Sequence, residues 1–198
     1  MKEASDTAIR FLVPAVMLSF ALALSASARQ GTPAGAALGS ALKRFEDAVG
    51  AYQHLHQEAE AKTGPLPKSA DPKAITSHQL ALGEAIIQAR PNARQGDLFT
   101  PQVAGLFRRL IAADLARRRP VDRQAFLVSI PDTRVRVNAF YPASFPLVTV
   151  PPRLLEALPR LPDGLEYRFA GGALILRDVD PNLVVDVLPG VLPAPARR

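Results

Sequence analysis

From Pro33 to Lys62 the apolar residues Leu38, Leu42, Phe45, Val49, Tyr52, Leu55 and Ala59 recur at steps of four and three. That period keeps one stripe along one side of a helix. The spacing predicts a long amphipathic helix within residues 29–64, stopped by Gly64 and Pro65 in the order a helix end uses. The polar, proline-broken "GPLPKSADP" then predicts an extended surface linker. A second helix is expected over Ile75 to Arg90, where Leu82, Ile86 and Ala89 form the apolar side and Pro91 cuts the chain. A third begins at Thr100, whose side chain can accept a backbone N–H, with Pro101 in the first helical position. Val103, Phe107, Leu110 and Asp114 line one side of it, with Leu106, Ile111 and Leu115 beside them. Arg117, Arg118 and Arg119 complement the dipole of its C-terminus, and Pro120 closes it. A short fourth helix is expected over Val121 to Ile130.

After Pro131 the period falls to two. "RVRVNAFY" alternates from Arg134 to Val137 as a half-buried strand does, and "FPLVTVPP" is also extended, its prolines indicating a strand end or a sheet edge. "PRLLEALP" predicts two turns of helix. In "LEYRFAGGALILRD" a two-residue turn at Gly171-Gly172 sets a hairpin register. Phe169 then faces Leu174, Tyr167 faces Leu176, and Glu166 meets Arg177 as an opposite-charge pair. "NLVVDVL" adds another strand or a short terminal helix. Helices first and strands last imply an α+β fold, with three or four N-terminal helices and a small antiparallel sheet ending in a β-hairpin. Residues 65–198 form the α+β remainder of a single domain, helical to about residue 130.

The N-terminus changes what counts as the working protein. Lys2 and Arg10 precede the apolar run Phe11 to Leu24, and Ala26-Ser27-Ala28 is an A-x-A site. This is the layout of a secretory signal peptide over residues 1–28, cleaved between Ala28 and Arg29. The alternative is an uncleaved anchor over residues 11–28, close to spanning length. The expected location is periplasmic or secreted. The chain has no cysteine, which excludes disulfides, zinc–thiolate centres and thiol catalysis. Its formal charge is +6, all of it outside residues 1–28, where Lys2 and Arg10 balance Glu3 and Asp6. For an exported protein, anionic lipid headgroups and acidic envelope polymers are the matching counter-surfaces, and nucleic acid is the weaker reading.

Candidate chemistry is sparse. His54 and His56 lie two apart, roughly 200° round a helix, so they cannot share one metal. Spacing four pairs His54 with Glu58 and His56 with Glu60, two ligands each where zinc needs three or four, and His78 lies far along the chain. The segment reads as a solvated helix face, and no metal or cofactor is expected. Asp178, Asp180 and Asn182 begin like a calcium loop, but Leu183 replaces its glycine and Pro189 its glutamate. Asp178 and Asn182 are instead expected to bond backbone in the turn after the hairpin. There is no G-x-S-x-G elbow and no glycine-rich phosphate loop. Asp178 with Asp186, or with Asp180, is the carboxylate pair a hydrolase could use. Arg108, Arg117, Arg118 and Arg119 form the candidate anion-binding patch, Arg108 and Arg119 returning to one face at a separation of eleven. Aromatic residues are not interleaved with these arginines as in a single-strand platform.

The run from "RVNAFYP" to "LVVDVLP", with "ARQGDLFTPQVAGLFRRLIAADL", is similar to the tails of small exported bacterial proteins of an uncharacterised family. The resemblance implies an exported bacterial protein and carries no activity, cofactor or site residue. Together these features predict a non-enzymatic envelope protein, an interaction or structural module for another envelope protein. The alternatives are a binder of anionic lipid or polymer through the arginine patch and a carboxylate hydrolase. Membrane contact is expected only through an uncleaved signal or the basic surface.

Overall fold

The structure, a computed structural model, describes residues 33–65, 68 and 71–193. The expected signal segment and its cleavage point lie outside these residues. The described residues all fall in one compact unit. Among the described residues the helices are α1 (Pro33–Thr63), α2 (Pro72–Ala89), α3 (Pro101–Arg117), α4 (Pro120–Ser129) and α5 (Pro152–Ala157). The strands are β1 (Ala139–Phe140), β2 (Val148–Thr149), β3 (Leu165–Ala170), β4 (Ala173–Asp178) and β5 (Leu183–Leu188). They form one antiparallel sheet in the order β1-β5-β4-β3-β2. The fold is α+β, helices first. No described helix is long and apolar enough to cross a membrane.

The helix ends follow local chemistry, with three departures from expectation. α2 starts three residues earlier than the apolar period indicates, because the Asp71 side chain accepts from the Lys73 N–H and Pro72 occupies the first turn. Thr100 sits at the N-cap of α3 but its hydroxyl makes no capping bond and is buried without a partner. The arginine run does not continue α3: Arg118 is its C-cap, extended in backbone, and Arg119 is the N-cap of α4.

The hairpin register is as expected, with Phe169 opposite Leu174, Tyr167 opposite Leu176 and Glu166 opposite Arg177. Its turn needs glycine at both positions, since Gly171 and Gly172 have φ of 52° and 78°. A Cβ on Gly171 would also lie 2.0 Å from the Thr133 carbonyl oxygen. "NLVVDVL" is a strand rather than a helix. "RVRV" joins no ladder; only Ala139 and Phe140 pair with β5. Val135 and Val137 instead pack with Tyr141 on the outer face of the sheet, against Ala170, Ala173, Ile175, Val184 and Val187.

β4 and β5 are therefore buried on both faces. On the inner face Leu174, Leu176, Leu183, Tyr167 and Phe169 meet the helices. Phe45 of α1, Phe99 of the loop before α3 and Phe107 of α3 form a triangle with centroids 5.5–6.0 Å apart, and Phe107 meets Tyr167 edge-on at 5.8 Å. Burying each such ring contributes roughly 2–3 kcal/mol, and an aromatic pair about 1 kcal/mol more. This cluster fixes α1 against the sheet, and so fixes what the second half of α1 faces.

Candidate functional site

The inward stripe of α1 is Phe45, Val49, Tyr52 and Ala59, all buried. Its steps of four and three continue from Tyr52 to His56 and then Ala59, while Leu55, the expected member, packs against the core and is half-buried like His56. His56 thus occupies a core-facing position. Its side chain is 14% exposed, against 73% for His54. The solvated-face reading of residues 52–60 holds for His54, which pairs with Glu58 at 3.3 Å, and fails for His56.

His56 meets the last residue of β4. Its Nδ1 lies 2.6 Å from Asp178 Oδ2, and the Tyr52 hydroxyl donates to the same oxygen at 2.7 Å. Asp178 is fully buried, and its other oxygen, Oδ1, has no hydrogen-bond partner among the described residues. The expected local turn bonds of Asp178 are replaced by these contacts across 122 and 126 residues of chain. The Asn182 side chain does not bond nearby backbone either: its amide donates to the Tyr141 carbonyl, 41 residues away, and its oxygen accepts from the Arg177 Nε.

Two turns complete the surroundings. Gly164, at φ 85°, enters β3, and its carbonyl accepts from the Val179 N–H after β4. That bond brings the Asp163-Gly164 turn beside Asp180, whose carboxylate lies 3.9 Å from His56 Nε2. Tyr52, Gln53, His56, Gln57, Glu60, Asp163, Asp178 and Asp180 surround a cavity of about 170 Å³. The Glu60 spacing noted in the sequence places it in this cavity too, while His56's bonded partner is Asp178.

The electrostatics follow from this arrangement. The hydrogen bond to Asp178 raises the His56 imidazole above its ordinary pKa; burial pulls it down, and Asp178, Asp180 and Glu60 add to the rise. Burial, then the Asp178 charge, pushes the Tyr52 hydroxyl far up, so it stays a donor. The Arg90 guanidinium lies 5.1 Å from the Tyr52 ring centroid and donates to the Val185 carbonyl. Burial lowers its pKa from the ordinary value.

The other candidate residues are committed elsewhere. Asp186 is fully buried, and its two oxygens accept from the N–H groups of Gly96, Leu98, Phe99 and Val187 at 2.7–2.8 Å. A bulge makes this possible: Leu176 pairs with Asp186 and Arg177 with Val184, leaving Val185 as the extra residue. Asp178 and Asp186 therefore serve different partners rather than one hydrolytic pair, whereas Asp178 and Asp180 do come together. Of the patch arginines, Arg117 and Arg118 line one cavity beside Arg153, while Arg108, Arg118 and Arg119 each have partners of their own. Arg118 forks onto Asp114 at 2.8 and 2.9 Å with its guanidinium 4.7 Å from the Phe126 ring centroid. Arg119 forks onto Asp122, and Arg108 donates to the Pro189 carbonyl. Because α3 ends at Arg117, the eleven-residue spacing does not place Arg119 on its face.

Comparison of the chain with protein families, with curated proteins and with solved structures finds no match. The site therefore stands on its own geometry.

Proposed function

We propose that the protein is an exported, non-enzymatic binding module of the cell envelope, and that it binds a small cation in the acidic cavity between α1 and the open end of the hairpin. The observation that carries this reading is Asp178: a fully buried carboxylate on the cavity wall with one oxygen satisfied twice and the other left without a donor. Buried carboxylate oxygens without partners are costly, and a bound cation offsets that cost. Glu60, Asp163 and Asp180 add negative charge around the same space. The lining combines these carboxylates with the His56 imidazole, oxygen and nitrogen donors of the kind that hold cations. Export rests on the charged start, apolar run and A-x-A site of residues 1–28.

The test is thermal unfolding of the wild type and Asp178→Asn with sodium, magnesium, calcium, zinc and a small diamine in turn. Stabilisation of the wild type by one of them, lost in the variant, is the expected result, since a ligand that binds only the folded state raises its stability. Equal response of both proteins to every cation overturns the cavity reading. Intact-mass measurement by compartment in a bacterial host checks export separately, with a periplasmic or secreted chain beginning at Arg29 expected.

A further inference from the structure

We infer that the cation is a divalent first-row transition metal of the zinc class, with His56 as its nitrogen ligand; this rests on the acidic-cavity reading and narrows it. An imidazole nitrogen of His56 and one oxygen each from Asp178 and Asp180 lie within 4.8 Å of one another. They arrive from three separate places: the second half of α1, the end of β4 and the turn that follows. Acidic side chains gather on many surfaces without a ligand. Here the second sign is Asp178, fully buried on the wall of the same cavity and carrying the unpartnered Oδ1.

The histidine decides the class of ion. Calcium and magnesium take oxygen ligands, whereas imidazole suits zinc and its first-row neighbours. Asp178 Oδ2 accepts the proton of Nδ1, which fixes the ring and leaves the Nε2 lone pair on the side of Asp180. This is the carboxylate–histidine arrangement that supports metal-bound imidazoles. Two donors each about 2.0–2.1 Å from a zinc ion can be at most roughly 4.2 Å apart. His56 Nε2 and Asp180 Oδ2 are 3.9 Å apart, and Asp180, 64% exposed at its side chain, is free to close further. With Nε2 as the ligand atom, Asp178 Oδ2 keeps both its bonds, to Nδ1 and to the Tyr52 hydroxyl, so Asp178 orients the imidazole and does not itself bind the ion. Glu60 and Asp163, from the same lining, or water complete the shell.

The experiment is zinc titration of the folded protein by calorimetry, with metal content after dialysis, for the wild type, His56→Gln, Asp180→Asn and His54→Gln. One zinc per chain is expected, with affinity falling at least tenfold in His56→Gln and Asp180→Asn and unchanged in His54→Gln. Asp180 is exposed, so its variant reads the site even where replacing His56 unsettles the fold. Zinc binding that is lost with His54→Gln instead, or equal in all four proteins, is surface binding and overturns the inference. Calcium or magnesium bound as tightly as zinc, indifferent to His56→Gln but abolished by Asp178→Asn, overturns the metal class while the cavity reading stands. No Asp178-dependent response to any cation overturns both.

Discussion

Asp178 and Asp186 lie on neighbouring strands, both fully buried, and the fold uses them in opposite ways. Asp186 is surrounded by four backbone amides from the loop before α3 and from its own strand, and nothing is left for a ligand. Burial still raises its pKa above the ordinary value, with those amides pulling the other way. Asp178 receives two side-chain donors on one oxygen and none on the other. Burial of a carboxylate is therefore a poor guide to function. What separates a structural staple from a candidate site is whether its hydrogen-bonding capacity has been used up.

The comparison can be broken most directly at Asp186. Replacing it by alanine strands the buried N–H groups of Leu98 and Phe99, and each unpaired donor costs about 1–3 kcal/mol. Asp186→Ala is expected to lose on the order of 3 kcal/mol or more in urea unfolding; a loss below about 1 kcal/mol contradicts its role as a staple. Tyr52→Phe removes one donor from Asp178 and leaves the other, so a loss of about 1 kcal/mol is expected. A loss as large as that of Asp186→Ala would place Asp178 among the staples too.

The next prediction concerns pH, in protein stripped of metal by a chelator. His56 faces Asp178, Asp180 and Glu60, and its folded pKa is raised. Its contribution is thus complete below the ordinary imidazole value of about 6.5 and is lost as pH rises through the raised value. The stability penalty of His56→Gln should be larger at about pH 5.5 than at about pH 9. A penalty that is constant, or that grows with pH, contradicts the Asp178 contact. The smallest effect belongs to Arg119→Ser: its pair with Asp122 is exposed and screened, so the urea midpoint should not move measurably. A clear shift there would mean that this exposed pair helps hold the fold together.

Much of this was legible in the chain. Apolar period, proline position and the Gly171-Gly172 pair located the helices and set the hairpin register, because each depends on residues a few positions apart. The alternation of "RVRV" misled, because a half-buried segment lying across a sheet face and a paired strand leave the same pattern of exposure. The site left only a trace: extending the four-and-three period from Tyr52 arrives at His56, a polar residue where the stripe requires a buried one. A buried polar residue needs a partner, and nothing within one helix turn could say which.

The sequence by itself determined the order of elements, the apolar face of each helix, the hairpin turn and the absence of thiol chemistry. Tertiary structure alone decided that His56 meets Asp178, that Asp186 turns to the loop before α3, and that Arg108 reaches the Pro189 carbonyl. Local order is governed by short-range sterics and periodicity, which one stretch of chain encodes. The cavity is governed by how α1 lies on the sheet, which depends on the aromatic packing of Phe45, Phe99, Phe107 and Tyr167 from distant parts of the chain.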